Sequence, residues 1–174
     1  MKKKSPLYFL LFAIVLLTAT GFNTNCRIYK FSDVGSIPDS IKTIKIRQFE
    51  NRASYVNPQI SQRLSDRLRQ KITNQTKLSQ TNNDNADWEI SATITQYTFT
   101  TSAISNQQVT TNRLTVGVHV ILNKIKDDAV KEYDVNRGFD FKGTLSFQQA
   151  ENELMDEMTR TITDEIFNKL FAEW

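Results

Sequence analysis

The chain contains one cysteine, Cys26, and one histidine, His119. Those counts bound most of its possible chemistry. A zinc site takes three or four His, Cys or carboxylate ligands, and neither His nor Cys is available in number. His119 falls among Thr115, Gly117 and Ile121, on the opposite phase from Val116, Val118 and Val120. A lone histidine on that side of a strand reads as a surface residue. No serine sits in a motif that would complete a Ser-His-Asp set. The five glycines are scattered, so no phosphate-cradling loop is expected. Asp127-Asp128 lies in a turn. Glu151, Glu153, Asp156 and Glu157 suit the first half of a helix, where the dipole favours negative charge and the carboxylates aid solubility. The expectation is a protein that is not an enzyme and uses no metal or cofactor. The enzymatic rival is a hydrolase with an unrecognised site.

Cys26 has no intrachain partner, so a disulfide framework is excluded. It follows a segment with the form of an export signal. Lys2, Lys3 and Lys4 make a positive start, and Leu7 to Ala19 is an apolar run of 13 residues. A helix that spans a bilayer needs about 20. Residues 1–25 are therefore read as a signal peptide. Bacterial lipoproteins are cut before such a cysteine, which then receives acyl chains that hold the protein on a membrane. Asn25 and Asn23 depart from the small and aliphatic residues usual before that cut, and Ala19-Thr20-Gly21 offers a competing site for ordinary signal peptidase. Cys26 is thus a lipid attachment point or, alternatively, a free thiol on a leader.

The basic balance of the full chain, 22 Lys plus Arg against 19 Asp plus Glu, belongs to the leader. Without Lys2, Lys3 and Lys4 the two signs are equal at 19 each. No excess remains on the folded part for a nucleic acid. The cations that a sheet could present are Arg47, Arg52, Arg113, Arg137 and Lys142. Arginine grips phosphate bidentately, so such a set suits an anionic head group; solvated, locally balanced charges are the plainer reading.

These residues must be carried by a small number of elements. Residues 26–40 form a tether with turn signals at Gly35 and Pro38-Asp39-Ser40, and residues 41–174 form a single domain. A strand is predicted over 41–49, with Ile44 and Ile46 on one side. Asn57-Pro58 starts a helix over 58–75, with Ile60, Leu64, Leu68 and Ile72 in one stripe. After a polar loop at 79–87, Trp88, Ile90, Ala92 and Ile94 alternate as a strand. The apolar phase then moves to Tyr97 and Phe99, which calls for a bulge or strong twist. Residues 100–112 are expected to be a long polar hairpin tip. Leu114 to Leu122 is a third strand, and Tyr133, Val135, Phe139 and Phe141 mark a fourth, with Arg137 on their face. Ser146 and Gln149 make a capping box for a helix over 147–172. The order β-α-β-β-β-α gives an α+β two-layer sandwich, a mixed four-stranded sheet with both helices on one face.

Several stretches resemble one family. "CRIYKFS", "IKTIKIRQFENRASYVNPQISQRLSDRLRQKI", "NRLTVGVHV" and "DEIFNKLFAEW" look like successive parts of the LptE family, lipopolysaccharide-assembly lipoproteins of Gram-negative bacteria. The resemblance implies the same two-layer sandwich, placed at the periplasmic side of the outer membrane by a lipid on Cys26. It implies a plug and assembly partner for an LptD-type β-barrel, helping lipopolysaccharide to the outer leaflet. Family members contact lipopolysaccharide through basic residues near the sheet's loops. Arg113 at the hairpin base, Arg137 and Lys142 are the candidates for that role here, although no motif marks them. The alternative is another outer-membrane lipoprotein, accessory to a transport or cell-wall synthesis complex.

Overall fold

The computed structural model describes residues 37–105 and 108–171, with side chains described for 37–103 and 111–171. Cys26, the signal segment and most of the tether lie outside the described residues.

Strand β1 (Thr43–Ile46) leads through β2 (Glu50–Asn51) to helix α1 (Pro58–Gln75). Strand β3 (Ser79–Gln80) follows, then the long strands β4 (Trp88–Ser105), β5 (Gln108–Lys124) and β6 (Ala129–Lys142), and helix α2 (Phe147–Phe171). The sheet order is β3-β1-β4-β5-β6, with β2 also on β4. The α1 crossover makes β1 and β4 parallel, in the register Ile44↔Trp88 and Ile46↔Ile90. β4, β5 and β6 form an antiparallel meander.

The class is the expected α+β sandwich with a mixed sheet, but the sheet has six strands rather than four. The two additions are two-residue pieces inside segments read as connectors. β2 extends the line of β1 along β4, and β3 borders β1. Pieces that short have no alternation to read. The polar hairpin end is longer in strand than its composition suggests, because β4 and β5 pair as far as Ser105↔Gln108. Threonine favours the extended backbone, and pairing needs backbone groups, not apolar side chains.

Local chemistry accounts for both helices. Asn57 is extended and its Oδ1 accepts from Gln59 N at 2.8 Å, while Pro58 occupies the first helical position. Ser146 Oγ accepts from Gln149 N at 3.3 Å and Gln149 Oε1 accepts from Ser146 N at 3.0 Å, the reciprocal capping arrangement. Ile60, Leu64, Leu68 and Ile72 of α1 meet Met158, Ile162, Ile166 and Leu170 of α2 in the core over one sheet face. Val116, Val118, Val120 and Leu122 of β5 supply the floor. Arg67–Asp156 and Lys71–Asp164, at 2.9 and 2.6 Å, tie the helices at the surface.

The phase change in β4 is a bulge. Ile94 pairs with Val118 and Gln96 with Gly117, so Thr95 is the extra residue. It turns Tyr97 and Phe99 to the helix side. Gly117 makes the close approach possible, since a Cβ there would stand 3.0 Å from Gln96 Cβ. At the other end of the sheet, Asp87 joins three segments. Its carboxylate accepts from Lys42 N at 2.7 Å and Thr43 N at 2.9 Å, and pairs with Lys126 at 2.7 Å. Those donors hold its pKa well below the usual carboxylate range, Lys126 first and the two backbone amides after it.

Two outcomes follow. Val118 is 1% exposed; Val118→Asp should cost about 3–5 kcal/mol through an unpaired buried charge, and an unchanged thermal melt would overturn the register. For Asp87, the lowered folded pKa means that its contribution is present above the unfolded value near pH ~4 and fades as pH falls further. Asp87→Asn should therefore lower the melting temperature at pH 7, with the gap to the unsubstituted protein narrowing at pH 3. An equal gap at both values would remove Asp87 from the account.

Candidate functional site

The cations chosen as candidates divide between the two sides of the sheet. Arg113 pairs across β5–β6 with Asp140 on the face away from the helices, Nε to Oδ1 at 2.6 Å and Nη2 to Oδ2 at 2.8 Å. This fork raises the arginine's pKa and lowers the aspartate's, each mainly through the shared hydrogen bonds. Gly138 gives Arg113 its path. A Cβ on Gly138 would lie 2.9 Å from Arg113 Cδ, so the guanidinium's stem crosses β6 where a side chain would stand.

Lys142 is two residues beyond Asp140, on the same face as Arg113 and opposite Thr111. It is exposed and has no ion pair among the described residues. Arg137 does not join them. It has the phase of Phe139 and Phe141 and is paired with Glu165 of α2. The three candidates therefore do not share one surface: two lie on the open face, and Arg137, on the face that its phase predicted, meets the helix layer. Lower on the open face, Arg47 pairs with Glu89 at 2.8 Å, and at the β2 edge Arg52 pairs with Glu50 at 2.7 Å. Balanced by acids, neither offers much free positive charge.

The open face itself is a shallow trough of about 610 Å³, lined by Ser91, Thr93, Thr95, His119, Arg47 and Glu89 among others. Its middle is hydroxyl-rich and its charges are compensated. His119 lies where the alternation placed it, with Nδ1 2.8 Å from Asp134 Oδ1 and Nε2 3.6 Å from Glu132. These contacts make it a cross-strand partner for two β6 carboxylates.

Sequence reasoning missed a second surface, on the helix side at the hairpin end. Tyr55, Tyr97, Phe99, Phe147 and Phe141 touch in succession. Tyr55 stacks on Tyr97 at 5.6 Å and meets Phe147 edge-on at 4.8 Å; Phe99 lies 5.9 Å from Phe141 and contacts Phe147. Phe99, Phe141, Phe147 and Leu145 border an open hollow of about 260 Å³ that Thr101 and Asn112 also line. Beneath Tyr55 and Tyr97 lies Glu151, only 6% exposed. Its carboxylate accepts from Tyr97 Oη and Asn57 Nδ2, both at 2.6 Å, and from Tyr55 Oη at 3.5 Å. The expectation of a solvent-facing carboxylate fails at this position. Burial beside that charge drives the Tyr97 phenol well above its usual pKa. The rings come from a connector, two strands and a helix start, and no spacing rule links them. The one available signal was Glu151's place on the apolar stripe, one residue from Ala150 and three from Leu154.

No curated protein matches the chain significantly. Among solved structures the fold recurs in a hypothetical protein from Chlamydia trachomatis, at TM-score 0.52 and 12% identity, covering 75% of this chain and 95% of that one. A protein from Xanthomonas campestris gives 0.52 and 10%, with 79% and 90% covered. PelC from Paraburkholderia phytofirmans, a dodecamer, gives 0.50 and 10%, with 79% and 95% covered. At such identities the likeness is one of fold alone. The family comparison reaches further, because residues 41–170 match the model of LptE, described as lipopolysaccharide-assembly. That span takes in all six strands, α1 and α2 to its penultimate residue, and the chain belongs to the LptE family of lipopolysaccharide-assembly proteins.

Proposed function

We propose that this protein is a non-enzymatic outer-membrane assembly factor that plugs an LptD-type β-barrel and helps deliver lipopolysaccharide to the outer leaflet. Residues 1–25 export it, Cys26 carries the lipid, residues 26–40 are the tether and residues 41–174 are the working domain. The family match over 41–170 carries this reading. The surface chemistry supports it. The lumen of a wide barrel is polar, and the open sheet face is a hydroxyl-rich trough with internally balanced charge. A surface of that kind can sit in such a lumen without burying a bare charge.

The fold also has suitable reach. β4 has 18 residues, which at ~3.3 Å each span about 55 Å. The described chain enters beside Asp87 and Lys126, where Lys126 Nζ meets Ser40 O. The β4–β5 hairpin leaves from the opposite end of the sheet. A tethered end and a distal hairpin suit a plug that extends along a pore. Near the hairpin, Lys142 is the available cation, and Arg113 is a guanidinium already holding one carboxylate. Together they offer an anionic head group on lipopolysaccharide a partner at the base of the hairpin, while Arg137 stays with Glu165.

Affinity recovery of the full chain from detergent-solubilised outer membranes should bring a large β-barrel with it, and depletion should lower lipopolysaccharide at the cell surface. Normal surface lipopolysaccharide after depletion would end the proposal. Replacing both Arg113 and Lys142 with alanine should reduce photo-crosslinking to lipopolysaccharide several-fold with the fold intact; undiminished crosslinking would move the contact elsewhere. A fatty-acid analogue should label the native protein and not Cys26→Ser. Absence of label in the native protein would leave Cys26 a free thiol.

A further inference from the structure

We infer that the aromatic ledge at the hairpin end of the helix layer is a docking site for a basic side chain, best an arginine, presented by the barrel partner. The inference rests on the barrel reading for the partner's identity and on the ledge's own chemistry for what it binds.

The ledge combines three features. Tyr97 is buried, but Phe99, Phe141 and Phe147 are half-buried, Tyr55 is 39% exposed and its neighbour Val56 is 56% exposed. The hollow between Phe99, Phe141 and Phe147 has room for a side chain, at about 260 Å³. Glu151, beneath Tyr55 and Tyr97, is a buried carboxylate whose hydrogen-bond donors among the described residues are neutral: a carboxamide and two phenols. A buried charge without a counter-charge is costly, and its field is weakly screened there. Aromatic faces carry negative potential of their own. Ring faces and carboxylate therefore favour the same guest, a cation with a flat apolar surface. Guanidinium fits that description better than ammonium, because it is planar, stacks on rings and sheds water more easily.

Among the described residues, the cations near the hairpin are poorly placed to be that guest. Arg113 and Lys142 face the other side of the sheet, and Arg137 is taken by Glu165. α2 runs away from the ledge to Phe171 beside Trp88. An uncharged apolar side chain or an acyl chain would fill the hollow and leave Glu151 uncompensated.

The test places a photo-crosslinking residue at Val56 of the full chain in cells. The expected product is a crosslink to the β-barrel, mapped to a peptide that contains an arginine or lysine. Glu151→Gln keeps an acceptor for Asn57 and Tyr97 but removes the charge. It should lower the crosslink yield about ten-fold, with an equal or higher melting temperature. Phe147→Leu should lower the yield as well, and it keeps the test open should a smaller side chain unfold the ledge. The inference is overturned if the barrel is recovered with the protein but Val56 crosslinks only to lipid or to a peptide without a basic residue. It is overturned equally if Glu151→Gln leaves the yield unchanged. Recovery of no barrel at all would remove the plug reading and this occupant with it, a result distinct from the other two.

Discussion

One extra residue in β4 governs what the sheet can do. With Thr95 bulged out opposite Gly117, the inward set changes from Trp88, Ile90, Ala92 and Ile94 to Tyr97 and Phe99. In an uninterrupted strand a one-residue slip would send the second group to solvent. The bulge lets one strand serve two environments. Its first half lines the aliphatic core under the helices. Its second half contributes two rings to the ledge, beside α2's start. Gly117 eases this, because a Cβ there would crowd Gln96 Cβ at 3.0 Å.

The two ends of the sheet are held by different means. At the Asp87 end, an ionised carboxylate gathers the start of β1 and the β5–β6 turn through backbone amides and Lys126. At the hairpin end, Glu151 gathers the α1 cap, β4 and α2 through neutral donors. The first arrangement has a counter-charge, and the second has none among the described residues. Asn57 links both jobs at its site: its Oδ1 caps α1 and its Nδ2 reaches Glu151. The helix start and the buried carboxylate are therefore set in register by one side chain.

Much of this fold was legible because its signals are periodic. The four-residue spacing of Ile60, Leu64, Leu68 and Ile72 and the Asn57-Pro58 start define α1, and Ser146 with Gln149 defines the start of α2. The phase slip at Tyr97 announced the bulge. What escaped lacks a local period. β2 and β3 are two-residue pairings made by the backbone. The upper hairpin pairs through threonine-rich stretches with no apolar face to reveal them. The ledge draws rings from Tyr55, Phe99, Phe141 and Phe147, distant in sequence, and only the fold brings them into contact. Arg137 carried a usable signal, since its phase matched Phe139. The sequence did not show that Glu165 would be waiting there.

That inward arginine bears on the sheet's outer margin. Among the described residues β6 pairs with β5 alone, so the alternate outward-facing N–H and C=O groups of this 14-residue strand form a template for another strand. Charges crowd this strand on both sides, and Arg137 is turned under the sheet against α2. A newcomer pairing here would have to sit beside those ions and disturb one that is already engaged. The arrangement discourages edge-to-edge stacking among identical molecules.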